Sequence, residues 1–536
     1  MYGSSKAGLA DLICDSHPPG HVAFRFVEPD LSHRDMTFGE LRRESERFAS
    51  GLASIGVRSG DRVATLMGKS REYVIASMGI WRLGAVQVPL FTAFAPPAIE
   101  LRLTASKTRV LVCDADQRPK IDAVSDRSFQ VITCRRPEPD GTEPVGLAGL
   151  DFWALMEAQS AGQPAAVLGG DAPFIHIFTS GTTGTPKGVL VPIRALASIR
   201  AYLDLSLHVT AEDVYWNAAD PGWAYGLFYA VVAPMCHGGT SLLLRAGFSP
   251  ELTAEVLDRF GVTNFTAAPT VYRALRASEV PAPAGLNLRC ASSAGEPLTP
   301  EVNRWAPGWL GVEVLDHYGQ TEAGMLVCNH HHPELRRPVR VGSMGHDLPG
   351  WKSAILEPDA DRPAPAGTVG RLAMDLRASP LAWFSGYDGD PGHTADKISP
   401  DGRWYLTGDT ASRDKDGYVY FSSRDDDLII MAGYRIGPFE VESVLATHPA
   451  VAECAVVAVP DELRGEVIEA FVCLRSGYEE SESLARDLQQ LVKDNYSAHA
   501  YPRRVHFVDE LPKTPSGKIQ RFVLRELQRA EGHGQA

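Results

Sequence analysis

The chain has 536 residues, of which 44% are hydrophobic and 22% charged, and its formal net charge is −14 at pH 7. This length exceeds one ordinary hydrophobic core, so we expect at least two domains in a globular protein. The acidic balance argues against a general nucleic-acid surface, although it does not exclude small anionic ligands.

Cysteine usage and hydropathy indicate the compartment. The 8 cysteines include no Cys-x-x-Cys pair, so reduced thiols are expected rather than disulfides or zinc ligands. Asp11 interrupts the apolar run near the amino terminus, and no segment approaches about 18 uninterrupted apolar residues, so neither a signal peptide nor a membrane span is predicted. We therefore expect a cytoplasmic protein. The run His330-His331-His332 has no further ligands near it and is interpreted as a solvated loop.

The first part of the chain alternates between helix and strand patterns. Thr37 and Glu40 have the spacing of a capping box, which predicts a helix from there to Gly56. Further helices are predicted over 70–83 and 97–105, and strands over 62–67, 86–90 and 110–113. This alternation is typical of an α/β domain with layered, largely parallel sheets. Residues 137–146, rich in proline, glycine and acids, are interpreted as a surface connection.

The second part continues the alternation and then changes character. Strands are predicted over 214–218, 240–244, 264–268, 288–291 and 312–315, and residues 339–421 form a β-rich portion. A charged stretch at 423–427 precedes a new apolar run, so we predict a boundary there. The expected fold class is α/β, with a large amino-terminal domain (1–424) and a small, mobile α+β domain (425–536).

A loop rich in glycine and threonine is the strongest chemical signal. Residues 179–188 hold three glycines, five hydroxyls and Lys187, a combination suited to binding phosphates. It is not a Walker loop, because Pro186-Lys187-Gly188 leaves no hydroxyl after the lysine. A flexible linker is the alternative, but apolar runs at 174–178 and 189–191 favour a fixed turn between buried strands.

Six further motifs follow this loop in order. They are Ser293-Ala294-Gly295-Glu296-Pro297, Tyr318-Gly319-Gln320-Thr321-Glu322, Thr407-Gly408-Asp409, Arg424-Asp425-Asp426, Gly433-Tyr434-Arg435-Ile436-Gly437 and Pro515-Ser516-Gly517-Lys518. Together, over roughly residues 20 to 525, they resemble the adenylate-forming superfamily of acyl-CoA synthetases, peptide-synthetase adenylation domains and luciferases. The run 434–442 and the Ala-Gly-Glu-Pro sequence are most similar to acetyl- and medium-chain acyl-CoA synthetases.

The resemblance implies a ligase that uses ATP, Mg²⁺, a carboxylic acid and coenzyme A. The carboxylate attacks the α-phosphate to give an acyl-adenylate and pyrophosphate, and a thiol then displaces AMP. Glu322 would bind Mg²⁺, because this hard cation prefers carboxylate oxygen, and Thr321 would contact the α-phosphate. The residues implied to bind ATP or AMP are Thr179, Ser180, Gly181, Thr182, Thr183, Gly184, Lys187, Gly295, Glu296, Pro297, Asp316, Gln320, Asp409, Arg424 and Arg435.

Lys518 is the residue expected to catalyse adenylation. Negative charge accumulates at the transferring phosphorus, so a positioned ammonium stabilises the transition state more than the ground state. The small domain must close to deliver Lys518, and the resemblance implies that it then rotates about Asp426 and presents Gly433 and Tyr434 to coenzyme A. Acetylation of Lys518 by a protein lysine acetyltransferase is a further expectation.

The acyl pocket implied by the resemblance is formed by Trp223, Ala224, Tyr225, Gly226, Ala294 and Gly319. Acetate-specific relatives carry tryptophan where this chain has Gly319, so we expect open space there and a medium-chain, branched or aromatic acid. The bulk of Tyr225 leaves propionate and butyrate open.

Two other functions share these motifs. A free-standing acyl- or aminoacyl-AMP ligase would load a carrier protein instead of coenzyme A, and a non-catalytic acyl-nucleotide sensor would bind without turnover. Lys518, Glu322 and Asp409 together argue against the sensor. The sequence also leaves open a homo-oligomer.

Overall fold

A computed structural model describes residues 1–135, 149–179, 186–424, 427–431, 434–461, 465–497, 500–514 and 518–532. Within these ranges the chain forms three β-sheets and their covering helices, which confirms the predicted α/β class. The expected surface connection at 137–146 lies outside them. Among the described residues, no helix is both long and apolar enough to cross a membrane.

The strands are named in chain order. They are β1 (Val22–Val27), β2 (His33–Thr37), β3 (Arg62–Leu66), β4 (Val86–Pro89), β5 (Val110–Asp114), β6 (Gln130–Cys134), β7 (Leu150–Asp151), β8 (Pro173–Phe178), β9 (Gly188–Pro192), β10 (Tyr215–Asn217), β11 (Ser241–Leu244), β12 (Asn264–Ala267), β13 (Cys290–Ala294), β14 (Val314–Gln320), β15 (Gly324–Cys328), β16 (Ser343–Asp347), β17 (Ser353–Leu356), β18 (Gly370–Asp375), β19 (Trp404–Arg413), β20 (Val419–Arg424), β21 (Ile429–Met431), β22 (Tyr434–Ile436), β23 (Val451–Asp461), β24 (Gly465–Leu474) and β25 (Arg504–Phe507).

The α-helices are named in the same way. They are α1 (Phe38–Ser54), α2 (Arg71–Arg82), α3 (Pro96–Ser106), α4 (Arg118–Asp122), α5 (Phe152–Glu157), α6 (Leu196–Ala201), α7 (Ala224–Gly226), α8 (Ala233–His237), α9 (Pro250–Arg259), α10 (Pro269–Ala277), α11 (Pro300–Trp309), α12 (Pro391–Ala395), α13 (Pro438–Leu445), α14 (Glu482–Asn495) and α15 (Arg521–Gly532). Short 3₁₀ helices cover Ala115–Gln117 and Ile193–Ala195, and π-helical turns cover Asp11–Asp15, Tyr202–Leu207 and Leu227–Val232.

Two sheets build the amino-terminal part. One has the order β7-β6-β5-β3-β4-β8-β9, and all its pairs are parallel except β8 with β9. The other has the order β17-β18-β19-β20-β16-β15-β14-β13-β12-β10-β11-β1-β2. Its β14-β13-β12-β10-β11-β1 portion is parallel. The neighbouring portion, in the order β14-β15-β16-β20-β19-β18-β17, is antiparallel throughout. Its strands β16 to β20 lie in the portion, 339–421, that the sequence predicts to be β-rich, with β20 ending three residues later.

The third sheet belongs to the carboxy-terminal part. Its order is β22-β21-β24-β23, with β25 beside β24. It has its own apolar core, which includes Val441, Ile468 and Leu488. β20, the last strand of the largest sheet, ends at Arg424, and β21 begins at Ile429.

Local sequence signals place most elements within a few residues. The Thr37 hydroxyl accepts a hydrogen bond of 3.2 Å from the Glu40 amide at the start of α1, as predicted. The Glu40 carboxylate bonds Arg34 instead, so only one half of the capping box forms. The strand predicted over 288–291 is Cys290–Ala294, and the one predicted over 312–315 is Val314–Gln320. Both end later than predicted because their polar residues Ser292, Ser293 and Asp316 are buried inside the protein rather than placed in a solvated turn.

The histidine run differs from its interpretation as a solvated loop. His330 and His331 are buried, and their rings lie 3.0 Å from the hydroxyls of Ser206 and Ser292, respectively. Burial lowers the pKa of His331 to about 3, so the ring is neutral. These two histidines are therefore core residues. All 8 cysteines lie among the described residues, are buried, and form no disulfide, as expected.

Candidate active site

The site lies at the carboxyl ends of parallel strands in the largest sheet. β13 and β14 are parallel neighbours, so Gly295 after β13 and Thr321 after β14 come to the same edge. Ligands in open α/β sheets bind beyond such edges. Gly295 has a φ of +102°, which a side chain would disfavour, and this conformation turns the chain from β13 toward Glu296.

The glycine- and threonine-rich loop is held at its two ends. The Thr179 amide donates to the Lys187 carbonyl at 3.0 Å, and the Lys187 amide donates to the Thr179 hydroxyl at 3.3 Å. β8 and β9 pair directly beneath these residues, as predicted for buried flanking strands. The predicted phosphate-binding residues Ser180, Gly181, Thr182, Thr183 and Gly184 lie outside the described residues.

Tyr387 joins this loop to Glu322. Its hydroxyl donates to Glu322 Oε1 at 2.7 Å, and Lys187 Nζ lies 5.4 Å from the centre of its ring. Burial and the neighbouring Glu322 carboxylate raise the pKa of Tyr387, so it stays a neutral donor. The loop lysine and the carboxylate of the second motif therefore share one aromatic neighbour.

The donor set fits a magnesium ion that is bound mainly by a nucleotide. Among the described residues, no group of three or more histidine, cysteine or acidic side chains could hold a metal. Glu322 offers a carboxylate that Tyr387 orients. Mg²⁺ is commonly bound by one or two carboxylates together with substrate phosphates, so one glutamate near the predicted phosphate-binding loop is compatible with it.

Asp409 is the centre of a second polar cluster. Tyr318 donates its hydroxyl proton to Asp409 Oδ2, and Gln320 Nε2 donates to the same oxygen at 2.7 Å. Arg424 Nε lies 3.5 Å from Asp409 Oδ1. Burial raises the pKa of Asp409, while Arg424 and these donors act in the opposite direction. The structure thus brings residues of three sequence motifs to one carboxylate.

Lys397 supports this cluster from a segment that carries no predicted motif. Its ammonium donates to the Thr407 carbonyl at 2.7 Å, and Gln320 Nε2 donates to the same carbonyl at 2.9 Å. Gly408 follows with a φ of +77°, so the chain turns sharply before Asp409. Burial lowers the pKa of Lys397, and Glu322 and Asp409 favour its charged form.

Asp316 lies deeper in the same cleft. Its Oδ2 accepts a hydrogen bond of 3.2 Å from the Leu298 amide, just beyond Pro297. Its Oδ1 is buried and has no hydrogen-bond partner among the described residues. Burial raises the pKa of Asp316 to about 8. This side chain therefore retains capacity for a further hydrogen bond.

Lys518 comes from the carboxy-terminal part, and its amine feels the charges of the same acidic residues. Burial lowers the pKa of its amine, whereas Glu296, Asp409 and Glu322 favour the ammonium and Arg424 disfavours it. Its backbone is fixed, because the Thr514 amide donates to the Lys518 carbonyl at 2.7 Å. The Lys518 amide in turn donates to the Thr514 hydroxyl at 3.1 Å.

An ion pair joins the two parts of the chain. Arg273 of α10 lies 3.1 Å from Glu296 and 3.8 Å from Glu453, which belongs to β23 of the carboxy-terminal sheet. Lys513 contacts the same Glu453 at 2.6 Å. The carboxy-terminal sheet is therefore docked over the cleft.

The side chains expected to form an acyl pocket belong to two apolar clusters. Trp223 packs against Phe91 and Phe94, with ring centres 5.3 Å away in each case. Tyr225 packs against Tyr229, whose hydroxyl accepts a hydrogen bond of 3.1 Å from the Met325 amide in β15. Ala224 and Tyr225 are half-buried, and Gly226 and Ala294 are buried.

The space beside Gly319 is filled, contrary to expectation. A Cβ atom at this position would lie 2.4 Å from the Gly324 carbonyl oxygen and 2.6 Å from Met325 Sδ. A bulge in the pairing of β14 and β15 at Tyr318 and Gly319 brings the two backbones together. The missing side chain therefore permits close strand packing, and it does not by itself open a cavity.

The remaining predicted positions are described only in part. Asp426 and Gly433 lie outside the described residues. Tyr434 and Arg435 belong to β22 by their backbone. Thr321 is half-buried in the turn that follows β14.

Sequence reasoning missed two residues that contact the site, Tyr387 and Lys397. Neither belongs to a recognisable motif. Tyr387 contacts Glu322, which lies 65 residues away in the sequence, and Lys397 contacts Thr407, which lies 10 residues away. Tyr318 belongs to one of the six motifs, but only the alternation of side chains along β14 indicates its contact with Asp409. Its side chain faces the same way as that of Gln320.

Comparisons with known proteins agree with this geometry. A model of the AMP-binding enzyme family matches residues 13–387, and a model of the AMP-binding enzyme C-terminal domain matches residues 440–518. The chain is 36% identical over 496 residues to the acetyl-coenzyme A synthetase of Bacillus subtilis, covering 91% of this chain and 84% of that protein. It is 35% identical over 518 residues to the mitochondrial acyl-coenzyme A synthetase ACSM4 of Rattus norvegicus, covering 95% and 87%.

A solved structure supports the same assignment. The crystal structure of a Brucella canis acyl-CoA synthetase matches with a TM-score of 0.75 and 42% identity, over 99% of this chain and 96% of that chain. The resemblance inferred from the motifs is thereby confirmed at the level of the family. The chain belongs to the AMP-binding enzyme family and is an AMP-forming acyl-CoA synthetase.

Proposed function

We propose that this enzyme activates a medium-chain, branched or aromatic carboxylic acid with Mg²⁺-ATP and transfers the acyl group to coenzyme A. The observation that carries the proposal is the position of Lys518. The ammonium of this carboxy-terminal lysine is favoured by the charges of Glu296, Asp409 and Glu322, which come from separate motifs of the amino-terminal part. Such convergence suits the adenylation half-reaction.

Lys518 is the proposed catalytic residue for adenylation. In the transition state, negative charge is spread over the phosphoryl oxygens and the attacking carboxylate. An ammonium held in a partly buried cleft is screened less than one in bulk water, so its attraction to that charge is larger. Lys518 would act through charge and position without transferring a proton, and acetylation by a protein lysine acetyltransferase would remove that charge.

Asp409 and Asp316 are proposed to bind the nucleoside. An ionised carboxylate accepts about four hydrogen bonds, so Asp409 can accept from the ribose hydroxyls in addition to Tyr318 and Gln320. Asp316 Oδ1 is buried without a partner among the described residues and is available for a hydrogen bond with the edge of the base. Gly295, Glu296 and Pro297 would complete this side, and Arg424 and Arg435 would add positive charge.

Mg²⁺ would be bound by Glu322 and the phosphates of ATP. When bound, the ion would neutralise charge on the phosphates. Tyr387 would hold the Glu322 carboxylate in one orientation, and Lys187 would contact the β- and γ-phosphates beside it. Thr321, in the next position along the turn, would contact the α-phosphate.

Thioester formation is proposed to need a movement of the small domain. With the carboxy-terminal sheet docked as described, Arg273 and Lys513 both contact Glu453 next to the cleft. Rotation about Asp426 would break the contact with Arg273, withdraw Lys518 and bring Gly433 and Tyr434 toward coenzyme A. The two predicted domains, 1–424 and 425–536, would thus adopt one arrangement for adenylation and another for thioester formation.

The proposed acid class follows from the walls of the acyl pocket. Ala294 and Met325 belong to one apolar cluster, against which Tyr225 packs, and Trp223 packs against a second one. Met325 is an unbranched side chain that can adapt to different shapes. Because Met325 occupies the space next to Gly319, the size of the acid would depend on how far this methionine moves.

A panel of carboxylic acids tests the proposal. Each acid is assayed for pyrophosphate and AMP release, with coenzyme A, with a holo-carrier protein, or with neither. We expect pyrophosphate from the enzyme with medium-chain, branched or aromatic acids, and AMP release that depends on coenzyme A. Turnover with the holo-carrier alone would contradict coenzyme A as acceptor, and acetate as the preferred acid would contradict the proposed class.

A further inference from the structure

A series of hydrogen bonds that begins in the core determines which way the Tyr225 hydroxyl donates at the edge of the proposed acyl pocket. His317 Nε2 lies 2.6 Å from the Asn329 carbonyl oxygen, His317 Nδ1 lies 2.6 Å from the Tyr202 hydroxyl, and that hydroxyl lies 2.8 Å from the Tyr225 hydroxyl. His317 and Tyr202 are buried, whereas Tyr225 is half-buried. Tyr225 is therefore the end of the chain that opens out of the core.

The Asn329 carbonyl at one end of this hydrogen-bond series determines which atom carries each hydrogen along it. A carbonyl oxygen can only accept, so His317 Nε2 carries the hydrogen. Burial lowers the pKa of His317 well below its ordinary value, so the ring is neutral and its Nδ1 has a lone pair and no hydrogen. Tyr202 must then donate its single proton to Nδ1, and its oxygen can only accept from Tyr225.

Tyr225 therefore has an acceptor to offer and no donor. Its proton is committed to Tyr202, while its oxygen retains lone-pair capacity. Burial raises the pKa of Tyr225 well above its ordinary value, so the hydroxyl does not ionise. A ligand group placed against this oxygen can donate a hydrogen bond to it but cannot accept one.

The two faces of β14 carry different polar clusters. In β14, the side chains of Tyr318 and Gln320 reach Asp409, whereas His317 points to the opposite face and contacts Tyr202. The tyrosine cluster of Tyr202, Tyr225 and Tyr229 thus lies across β14 from the nucleotide-binding residues.

We propose that Tyr225 selects acids carrying a hydrogen-bond donor, namely a hydroxyl or neutral amino substituent on the chain or ring. This inference rests on the proposed function, because it requires the acyl group to lie against Tyr225. A donor-bearing acid satisfies the Tyr225 oxygen, whereas an ether of the same acid places oxygen against oxygen. Buried polar groups left unpaired in this way reduce affinity.

The test uses matched sets of acids at each ring or chain position: the hydroxy acid, the amino acid analogue without an α-amino group, the O-methyl ether and the unsubstituted acid. The measured quantity is kcat/KM for pyrophosphate release. For at least one position we expect the wild-type enzyme to prefer a donor-bearing acid over the ether by roughly tenfold or more. The hydroxyl and amino arms distinguish the two donors. The proposal would be overturned if the wild-type enzyme showed no preference for the donor-bearing acid over the ether at any position.

Three variants separate selectivity from folding. Tyr225→Phe should reduce the donor-to-ether ratio to about twofold or less, because the acceptor is removed. Tyr202→Phe frees the Tyr225 proton and should make the ether tolerated while Tyr225 remains. Tyr272→Phe removes a buried hydroxyl that donates to the Ser292 carbonyl at 2.8 Å, and it should leave the ratio unchanged. An unchanged ratio in Tyr225→Phe would overturn the proposal.

Failure of the proposed function has a different signature. If no acid released pyrophosphate, the proposed function would be contradicted, and the thermal shift given by each acid in the presence of AMP would test Tyr225 directly. A larger shift with the donor-bearing acid that disappears in Tyr225→Phe would support the selection. Equal shifts in both proteins would overturn it.

Discussion

The Tyr387→Phe variant tests how Glu322 is positioned. It keeps the ring beside Lys187 and removes the 2.7 Å hydrogen bond from the hydroxyl to Glu322 Oε1. Hydrogen bonds to charged groups contribute about 1.5–3 kcal/mol, and loss of a partner that orients a metal ligand commonly costs about 10- to 100-fold in metal affinity or activity. We therefore expect the Mg²⁺ concentration needed for half-maximal pyrophosphate exchange to rise at least roughly tenfold.

The assay is acid-dependent exchange of labelled pyrophosphate into ATP over a range of Mg²⁺ concentrations. Tyr418→Phe is the matched control, because the Tyr418 hydroxyl donates a hydrogen bond of the same length, 2.7 Å, to the Pro338 carbonyl. It should leave the Mg²⁺ dependence unchanged. If Tyr387→Phe and Tyr418→Phe shifted this dependence equally, the assigned role of Tyr387 would be refuted.

Three further predictions concern the small domain, the catalytic amine and the acyl side. Asp426→Pro, which fixes φ, should slow thioester formation while leaving adenylate formation largely intact, and equal loss of both in single-turnover assays would count against a hinge. Because burial lowers the pKa of Lys518, adenylation should decline as pH rises through that lowered pKa. The Lys518→Arg variant stays charged, so the pH profile of its residual activity should lack this alkaline decline. A decline at the same pH in Lys518→Arg would show that another group titrates. Gly226→Ala should lower the melting temperature, because a Cβ there would lie 2.1 Å from the Asp220 carbonyl oxygen, and an unchanged melting temperature would show that this turn relaxes without cost.

Local signals in the sequence predict most of the framework. The Thr37 cap and the Ser70 cap mark where α1 and α2 begin, because each hydroxyl accepts from an amide three residues later. Short apolar runs mark the parallel strands because both of their faces are buried. The apolar pattern does not mark the polar end of β14, because Asp316 and Gln320 are polar residues of a strand that lines a cleft.

Contacts between distant segments could not be predicted in the same way. Tyr387 meets Glu322 and Lys397 meets Thr407 only after the sheets have formed, and no periodicity marks either residue. Gly319 illustrates a different limit: its neighbour in space, Met325, is set by a bulge in the pairing of two strands. The sequence reveals that a side chain is missing but does not reveal what fills its place.

The most direct test of the account measures the two half-reactions of the Lys518→Ala variant separately. The proposed role predicts that acid-dependent pyrophosphate exchange falls by roughly 10²- to 10³-fold, as for removal of one transition-state contact, while supplied acyl-adenylate is still converted to thioester at close to the wild-type rate. Pyrophosphate exchange at the wild-type rate in Lys518→Ala would contradict the central claim that an ammonium from the carboxy-terminal domain stabilises the transition state of adenylation.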